Sequence, residues 1–310
     1  MNSIRRTSCI YLILAIILLL TGSCLPIASA TSNENTDLSD YTWINEDGEI
    51  FVLPEPARIG LTHSPGSPPS VRMQTDFMPS EITPSSVIGT DGRYEITNTS
   101  TYPHSAIAFL TLYFPGSTTY ATGFFVRSNI ILTAAHNITN HEAGELTMMT
   151  IQPGGPNSML LSTTITRSRI YVPAQWNNVN ADYDYAIIVL PSYEVGNLAG
   201  SLSLSVPSNS QLSGLPITIK GFPYDKLRGT MWGHSGTINS YTTYRFWHNV
   251  DTYSGQSGSP VMLSNNTVIG IDTYGFVPGD NITYNSSTRI TTAILDMIQY
   301  LYETGIDGLP

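Results

Sequence analysis

Cysteine is almost absent from this sequence of 310 residues, which contains only Cys9 and Cys24. Both lie in an N-terminal segment that is predicted below to be removed on export. The exported chain would then have no disulfide, and its fold would depend on its hydrophobic core, which a chain of this size can supply. The same absence excludes a cysteine nucleophile and cysteine-ligated zinc sites.

Positive charge is also scarce. Lysine and arginine number 13 against 23 acidic residues, which gives a formal net charge of -10 at pH 7. Binding to nucleic acid depends on neutralising phosphates with a basic surface, and this sequence has no basic stripe. We therefore predict no nucleic-acid partner. The sequence also shows no internal repeat.

The N-terminus has the pattern of a signal peptide. Arg5 and Arg6 precede an apolar run from Ile10 to Leu20, and Ala28-Ser29-Ala30 provides a small-residue cleavage site. This order predicts a signal peptide over residues 1–30, a product that begins at Thr31, and secretion to the extracellular space without stable membrane association.

A membrane anchor and a lipid attachment site are the alternatives to a signal peptide in this segment. A membrane anchor would need a longer apolar run than this one. Lipid attachment at Cys24 would need a large aliphatic residue where Thr21 stands. The signal peptide is the favoured interpretation.

Residues 31–85 are rich in proline, serine and acidic side chains. Such a composition cannot sustain a helical or strand period, and it predicts a poorly packed leader, a propeptide, rather than a domain. The prolines that interrupt it are Pro54, Pro56, Pro65, Pro68, Pro69, Pro79 and Pro84.

Residues 86–310 have a different texture, with short apolar runs separated by turn residues. This spacing predicts an all-β barrel or sandwich. Near the end, the apolar residues between Arg289 and Tyr302 recur at helical spacing and Gly305 follows, which predicts a C-terminal α-helix packed on the β body. The apolar runs are Ala106–Leu110, Thr122–Val126, Ile130–Leu132, Ala186–Leu190 and Val268–Ile271.

The segment Gly255-Gln256-Ser257-Gly258-Ser259-Pro260 is a candidate nucleophile loop. Flanking glycines allow a tight turn that exposes the serine hydroxyl. The backbone N–H groups of Gly255 and Ser257 could then form an oxyanion hole. An ordinary Gly/Ser loop is the alternative, because such a tetrapeptide also occurs by chance.

His136 follows an apolar run and two alanines, in Thr133-Ala134-Ala135-His136. A lone histidine is more often structural, but none of the other five has this context. His63 falls in the leader, while polar, turn-like surroundings are predicted for His104, His141, His234 and His248.

Asp184 directly precedes the run Ala186–Leu190, and a carboxylate in that place could orient a histidine. Asp182 is its competitor, since two residues apart along an extended chain share one face. Asp184 is favoured because it adjoins the apolar run and is the better candidate for burial. The order His136, Asp184, Ser257 is the chymotrypsin order, which differs from that of subtilisins and α/β-hydrolases.

With these motifs the sequence resembles the glutamyl endopeptidase group of bacterial trypsin-fold serine proteases, of the bacillus type, over about residues 86–304. The matching segments are Ser86–Gly89, Thr133–His136, Asp182–Ile187, Gly221–Lys226, Gly229–Trp232 and Asp251–Val261. The resemblance implies two six-stranded antiparallel β-barrels and hydrolysis of peptide bonds through an acyl-enzyme, usually after glutamate. It implies no cofactor and no metal.

The resemblance also implies a zymogen cleaved between Ser85 and Ser86. Because Ser85 is not acidic, an enzyme that cuts after glutamate would need another protease for this step, or a first cut after Glu81. Many relatives carry cysteines near the catalytic histidine. Ala121 and Asn137 stand at the corresponding positions here, so the disulfide that those cysteines imply is missing.

The residues of the expected substrate pocket depart from the family pattern. In the family a histidine reads the acidic P1 side chain, at the position that Asp272 occupies here, and an ionised Asp272 would repel such a side chain. Asp272 could instead be turned away and paired elsewhere. Thr252 remains a polar pocket candidate, and His234, His248 or the freed N-terminal amine could add positive charge. Asp251, six residues before Ser257, would fit an enzyme that cuts after Lys or Arg. Relatives that cut after glutamate resemble this sequence at the same position, so Asp251 does not discriminate between the two preferences.

The sequence therefore predicts a monomeric serine endopeptidase that acts on protein or peptide substrates. Proteins of two other functional classes could carry some of these features. One is a non-catalytic, protease-like binding protein, which the complete set of ordered motifs disfavours. The other is a secreted β-rich adhesin, which leaves the histidine and aspartate motifs unexplained.

Overall fold

The computed structural model describes residues 39–45, 48–54, 57–58, 86–139, 144–166, 169–275 and 284–304. Asp37–Pro310 forms one compact unit, and the other unit, Met1–Thr36, lies outside the described residues. The predicted signal peptide and Ser85 therefore also lie outside them.

The described chain is built mainly of antiparallel strands. In the first half they are β1 Thr42–Ile44, β2 Ile50–Val52, β3 Tyr94–Ile96, β4 Ile107–Phe114, β5 Ser117–Arg127, β6 Ile130–Thr133, β7 Met148–Pro153, β8 Thr163–Thr166, β9 Ile170–Pro173 and β10 Ala186–Val189. In the second half they are β11 Pro216–Gly221, β12 Met231–Tyr241, β13 Arg245–His248, β14 Pro260–Met262, β15 Val268–Tyr274 and β16 Asn285–Arg289. The α-helices are α1 Ala135–Ile138, α2 Glu194–Ala199, α3 Asn209–Leu212 and α4 Thr292–Thr304.

The second half closes into a six-stranded barrel. Its strands follow the order β11-β14-β15-β16-β13-β12, and β11 pairs with β12 from Pro216 opposite Thr237 to Gly221 opposite Trp232. β3 adds to the outer edge of β12. An apolar cluster that includes Ile219, Phe246 and Val261 fills this barrel.

The first half forms one antiparallel sheet in the order β2-β1-β9-β10-β6-β5-β4-β7-β8. No closing pair between its two ends occurs among the described residues, so closure is seen only in the second half. Long runs of buried β-branched and aromatic side chains explain the central strands, since such residues suit a pleated surface with a packed face. The all-β, trypsin-like architecture expected from the sequence is thus confirmed.

The leader segment is better packed than the sequence suggests. Ser39–Tyr41 forms one turn of 3-10 helix, and β1 and β2 form a hairpin whose Trp43 and Leu53 are fully buried. The proline content of residues 31–85 concealed this, because the apolar side chains of the hairpin lie ahead of most of the prolines. The expectation of poor packing therefore does not hold for residues 39–45 and 48–53.

The predicted C-terminal helix is present as α4, which begins three residues after Arg289. Its apolar stripe, formed by Ile294, Met297, Ile298 and Leu301, is buried as the helical spacing predicts. No helix within the described residues is long and apolar enough to cross a membrane.

Candidate active site

Strand pairing brings His136 and Asp184 together. β6 and β10 are antiparallel neighbours, with Thr133 opposite Ala186. His136 follows the end of β6 in α1, and Asp184 precedes the start of β10. The two residues are 48 positions apart in sequence and meet at the same edge of the sheet.

Asp184 holds His136 by two contacts. Its Oδ2 lies 2.6 Å from Nδ1 of His136, and its Oδ1 accepts the backbone N–H of His136 at 2.9 Å. The Asp184 side chain is fully buried, whereas the His136 side chain is 25% exposed. Because Nδ1 faces the carboxylate, Nε2 is the ring nitrogen that remains for another partner.

The pair shifts the pKa of both residues. Burial alone would lower the pKa of His136, but the charge and hydrogen bond of Asp184, and the charge of Asp272, raise it above its usual value. Burial would raise the pKa of Asp184, yet the adjacent His136 holds it below its usual range. The arrangement therefore favours an imidazolium next to a carboxylate.

Tyr274 is a neighbour of this pair that the sequence did not suggest. Its ring lies 5.5 Å from the His136 ring, tilted by 32°. Its phenol has no well-formed hydrogen bond within the described part of the chain, but it is close enough to Asp184 to help lower the pKa of that carboxyl after the larger effects of burial and His136. Tyr274 thus covers one side of the histidine and carboxylate.

Ser257 lies in a loop with two positions whose backbone conformation favours glycine. Gly255 and Gly258 have φ of +93° and +89°, in the left-handed region that other residues rarely adopt. A Cβ on Gly258 would also lie 2.0 Å from the carbonyl oxygen of Thr122. The loop therefore lies tightly against β5 of the other half.

The backbone of Ser257 is fixed by the first sheet. The Ser257 carbonyl oxygen accepts the backbone N–H of Thr122 at 3.1 Å and the side-chain amide of Asn137 at 2.9 Å. The Thr122 hydroxyl donates to the carbonyl oxygen of Gly255 at 2.9 Å. Asn137, at a position where the resemblance implies cysteine in relatives, thus ties the histidine helix to the serine loop by hydrogen bonds.

The loop is also hydrogen-bonded to the closed barrel of the second half. Gly258 N–H donates to the carbonyl oxygen of Asp272 at 2.8 Å, and Asp272 N–H donates to that of Ser259 at 2.9 Å. The Ser257 hydroxyl lies 3.5 Å from the carbonyl oxygen of Thr273. The N–H groups of Gly255 and Ser257 have no acceptor among the described residues, so both are available to a ligand.

The predicted pocket residues Thr252 and Asp272 are both fully buried next to this loop. The Thr252 hydroxyl has no hydrogen-bond partner within the described ranges. A buried hydroxyl is normally hydrogen-bonded, and so this one is a good candidate to meet a substrate side chain.

Asp272 has a histidine partner. Its Oδ1 lies 3.5 Å from Nε2 of His248 and accepts the hydroxyl of Ser287 at 3.4 Å. His248 is fully buried, and its Nδ1 accepts the backbone N–H of Val250 at 3.3 Å. That donor places the proton of a neutral His248 on Nε2, on the side of Asp272 and Ser287.

His248 and His234 correct an expectation from the sequence. Both lie on strands, β13 and β12 respectively, and not in turns. His248 is in the barrel interior because its neighbours Phe246 and Val250 also face inward. The alternation Phe246, His248, Val250 was the available signal for this strand.

Asp251 is occupied by backbone contacts. Its carboxylate accepts the N–H groups of Ile88 and Gly92 at 2.8 and 2.9 Å and lies 3.5 Å from Nδ1 of His234. The same region holds Ser86, whose N–H donates to Asn285 Oδ1 at 3.1 Å. The start of the predicted mature chain is therefore held next to Thr252, whose N–H donates to the Ser86 carbonyl oxygen at 3.4 Å.

Comparison with known proteins finds peptidases that this chain resembles. A family model described as a trypsin-like peptidase domain matches residues 121–271. A glutamyl endopeptidase of Bacillus licheniformis is 34% identical over 220 residues, which cover 68% of this chain and 67% of that protein. A protein of Bacillus subtilis named extracellular metalloprotease is 35% identical over 226 residues, covering 71% and 70%.

Solved structures give the same result. A Glu endopeptidase in complex with MPD superposes with a TM-score of 0.60 at 30% identity and covers 69% of this chain and 98% of that one. The protease Anisep from Arthrobacter nicotinovorans superposes with a TM-score of 0.53 at 20% identity, covering 68% of this chain and 98% of its own, and supports the fold alone.

Proposed function

Since the chain belongs to the glutamyl endopeptidase group of trypsin-like serine peptidases, we propose that Ser257, His136 and Asp184 are the residues with which it hydrolyses peptide bonds. The observation that carries this assignment is the pairing of His136 with buried Asp184 at 2.6 Å, next to a serine loop that both halves of the fold hold in place.

The proposed reaction follows from this geometry. The Ser257 hydroxyl attacks the scissile carbonyl carbon while Nε2 of His136 takes its proton, and Asp184 stabilises the imidazolium that forms. The C–N bond then breaks, and the departing amine takes the proton from His136. Water, deprotonated in the same way, hydrolyses the acyl-enzyme and restores the Ser257 hydroxyl.

The N–H groups of Gly255 and Ser257 are proposed as the oxyanion hole. They are the loop donors without an acceptor among the described residues. In comparable sites one such donor stabilises the transition state by about 3–4 kcal/mol. The positive φ at Gly255 and Gly258 supports this role, because it lets the loop turn its amides towards the cleft.

The nucleophile assignment can be tested with Ser257→Ala. Peptide hydrolysis should fall about 10⁶-fold and labelling by a fluorophosphonate should disappear, while the folded spectrum is kept. Ser254→Ala, in the same loop, is the matched control and should retain both. Labelling or cleavage at the wild-type level by Ser257→Ala would exclude Ser257.

We further propose cleavage after glutamate or aspartate. The names of the relatives support this preference, as does the Thr252 hydroxyl, which is buried and has no partner in the described part of the pocket. That hydroxyl could donate a hydrogen bond to a P1 carboxylate.

Asp272 favours a second candidate, a serine endopeptidase with a changed P1 preference. With His248 neutral, the ionised Asp272 would make the pocket negative and repel an acidic side chain.

A peptide library that varies P1 separates the two candidates, with mature enzyme that starts at Ser86. Cleavage after acidic residues that rises in Asp272→Asn and falls in Thr252→Val would support the first candidate. Preference for uncharged or basic P1 residues, shifting towards acidic ones in Asp272→Asn, would support the second.

Secretion and activation from a zymogen are part of the proposal. The signal-peptide pattern and the extracellular relative support secretion. The contacts of Ser86 with Asn285 support a chain end at this place, because they fix the residue next to the pocket. N-terminal sequencing of the protein from culture medium should give Ser86, and a start at Thr31 in fully active enzyme would contradict activation there.

A further inference from the structure

The leader hairpin extends the protease sheet. β1 pairs with β9, with Trp43 opposite Pro173 and Ile44 opposite Val172, and Ala174 N–H donates to the Thr42 carbonyl oxygen at 2.9 Å. β9 pairs on its other side with β10, the strand that follows Asp184. Without the hairpin, β9 would present an unpaired edge, which folded proteins normally cover.

The hairpin also contributes to the core. Tyr41, Trp43 and Leu53 are buried in the same apolar cluster as Tyr171 and Ile187 of the protease. Large aromatic side chains of this kind supply most of the favourable free energy at protein interfaces.

Helix α4 packs on the other side of the hairpin. The Phe51 ring lies 5.5 Å from that of Tyr300 and 6.3 Å from that of Tyr171. The charge of Asp296 on the helix, which is almost fully buried, adds to burial in raising the pKa of the Tyr41 phenol. The helix therefore has both an apolar and a polar contact with the leader.

Asp40 connects the leader to both halves of the fold. Its Oδ1 accepts the Tyr183 hydroxyl at 2.8 Å, and its Oδ2 accepts the Tyr244 hydroxyl at 2.9 Å. Tyr183 directly precedes Asp184, and Tyr244 lies between β12 and β13 of the closed barrel. The Asp40 carboxylate thus bridges the two halves of the fold. One of its two partners, Tyr183, is the residue next to Asp184, which holds His136.

From these contacts we propose that residues 39–58 stay bound after cleavage near Ser86, as a second, non-covalently held chain of the mature enzyme. Residues 40–53 supply an edge strand, three buried side chains and a carboxylate bridge, so the contacts described here are all made upstream of the proposed cut. The proposal rests on the proposed maturation, since the hairpin becomes a separate chain only when the leader is cut.

The test uses residues 31–310 with Ser257→Ala, so that the protein cannot cut itself. A recognition sequence for an unrelated site-specific protease replaces residues 66–72. After the cut, gel filtration at micromolar concentration should show the leader fragment and the protease part together at equal amounts, separating only in denaturant. A fragment that elutes alone from a folded protease part would overturn the proposal.

Matched variants show whether the hairpin contacts hold the fragment. Trp43→Ala should raise its dissociation constant at least about 100-fold, because a buried aromatic side chain is lost. Ile50→Ala, on the same hairpin but 70% exposed, should change it less than about threefold. Equal dissociation constants for these two variants would overturn the proposal.

If the Trp43→Ala chain does not fold, Asp40→Ala replaces it, since it leaves the core intact. It should raise the dissociation constant about tenfold through the two lost charge-assisted hydrogen bonds. No change would contradict the bridge. Peptide hydrolysis by the wild-type chain is measured separately, so that an inactive wild type counts against the proposed function alone and a released fragment against retention alone.

Discussion

Two buried carboxylate–histidine pairs lie on either side of the serine loop, and they are built differently. Asp184 contacts His136 twice, at 2.6 Å to the ring and 2.9 Å to the backbone, and the histidine reaches the surface. Asp272 lies 3.5 Å from His248, and both side chains are fully buried. The histidine of the first pair is open to solvent, whereas both side chains of the second pair are enclosed in the barrel.

The difference shows that proximity of an acid and a histidine does not by itself define a catalytic pair. The contacts with Asp184 hold Nδ1 of His136 against the carboxylate and leave its Nε2 without a partner from this pair. The Val250 N–H has the opposite effect on His248, since it occupies Nδ1 and leaves Nε2 facing the Ser287 hydroxyl at 2.9 Å and Asp272 Oδ1 at 3.5 Å. We therefore propose that the first pair transfers protons and that the second affects the electrostatics of the pocket.

The largest effect is expected when the first pair is broken at its carboxylate. Asp184→Asn should lower kcat about 10⁴-fold, because the amide no longer holds the required tautomer of His136 or stabilises its cation. Steady-state hydrolysis of a peptide substrate measures this. Asp182→Asn is the matched control, two residues earlier, and should keep kcat within about threefold. A reversed result would assign the role to Asp182.

The sequence was sufficient to predict the pairing of the first pair. His136 and Asp184 adjoin apolar runs that became neighbouring strands β6 and β10, so that strand pairing brings them together. The second pair was only half visible. Asp272 was singled out as a departure from the family pattern, whereas His248 was expected in a turn.

Contacts between distant segments were the part that could not be predicted. Asn137 bonding to the Ser257 carbonyl oxygen, and Asp40 bonding to Tyr183 and Tyr244, join residues more than 100 positions apart. No local period or spacing encodes such contacts. The leader hairpin was missed for the same reason, because its β-type pattern is short and becomes meaningful only when β9 offers an edge.

Breaking the second pair should affect stability more than chemistry. His248→Ala removes the ring N–H that faces the fully buried carboxylate of Asp272, and leaving a buried acceptor without a donor costs about 1–3 kcal/mol in free energy of unfolding. His136→Ala should cost less, because Asp184 keeps the backbone N–H of residue 136 and the nearby Tyr274 phenol. Urea unfolding of both variants with Ser257→Ala measures this. Equal losses would remove the distinction between the pairs.

The smallest expected effect is electrostatic coupling between the two pairs. Burial lowers the pKa of His136, but Asp184 and, to a smaller extent, Asp272 raise it above its usual value. Only the neutral imidazole can take the Ser257 proton, so kcat/KM should rise with pH through this pKa, and the acid limb should lie above about pH 6.5.

Asp272→Asn removes one charge that favours the imidazolium. The acid limb should therefore move to lower pH, with the alkaline limb unchanged. The pH profile of kcat/KM on an uncharged peptide measures the shift, and Asp182→Asn, which does not contribute to the His136 pKa, is the control. A limb that stays in place in Asp272→Asn would mean that the two pairs act independently, and Asp272 would then tune only the pocket.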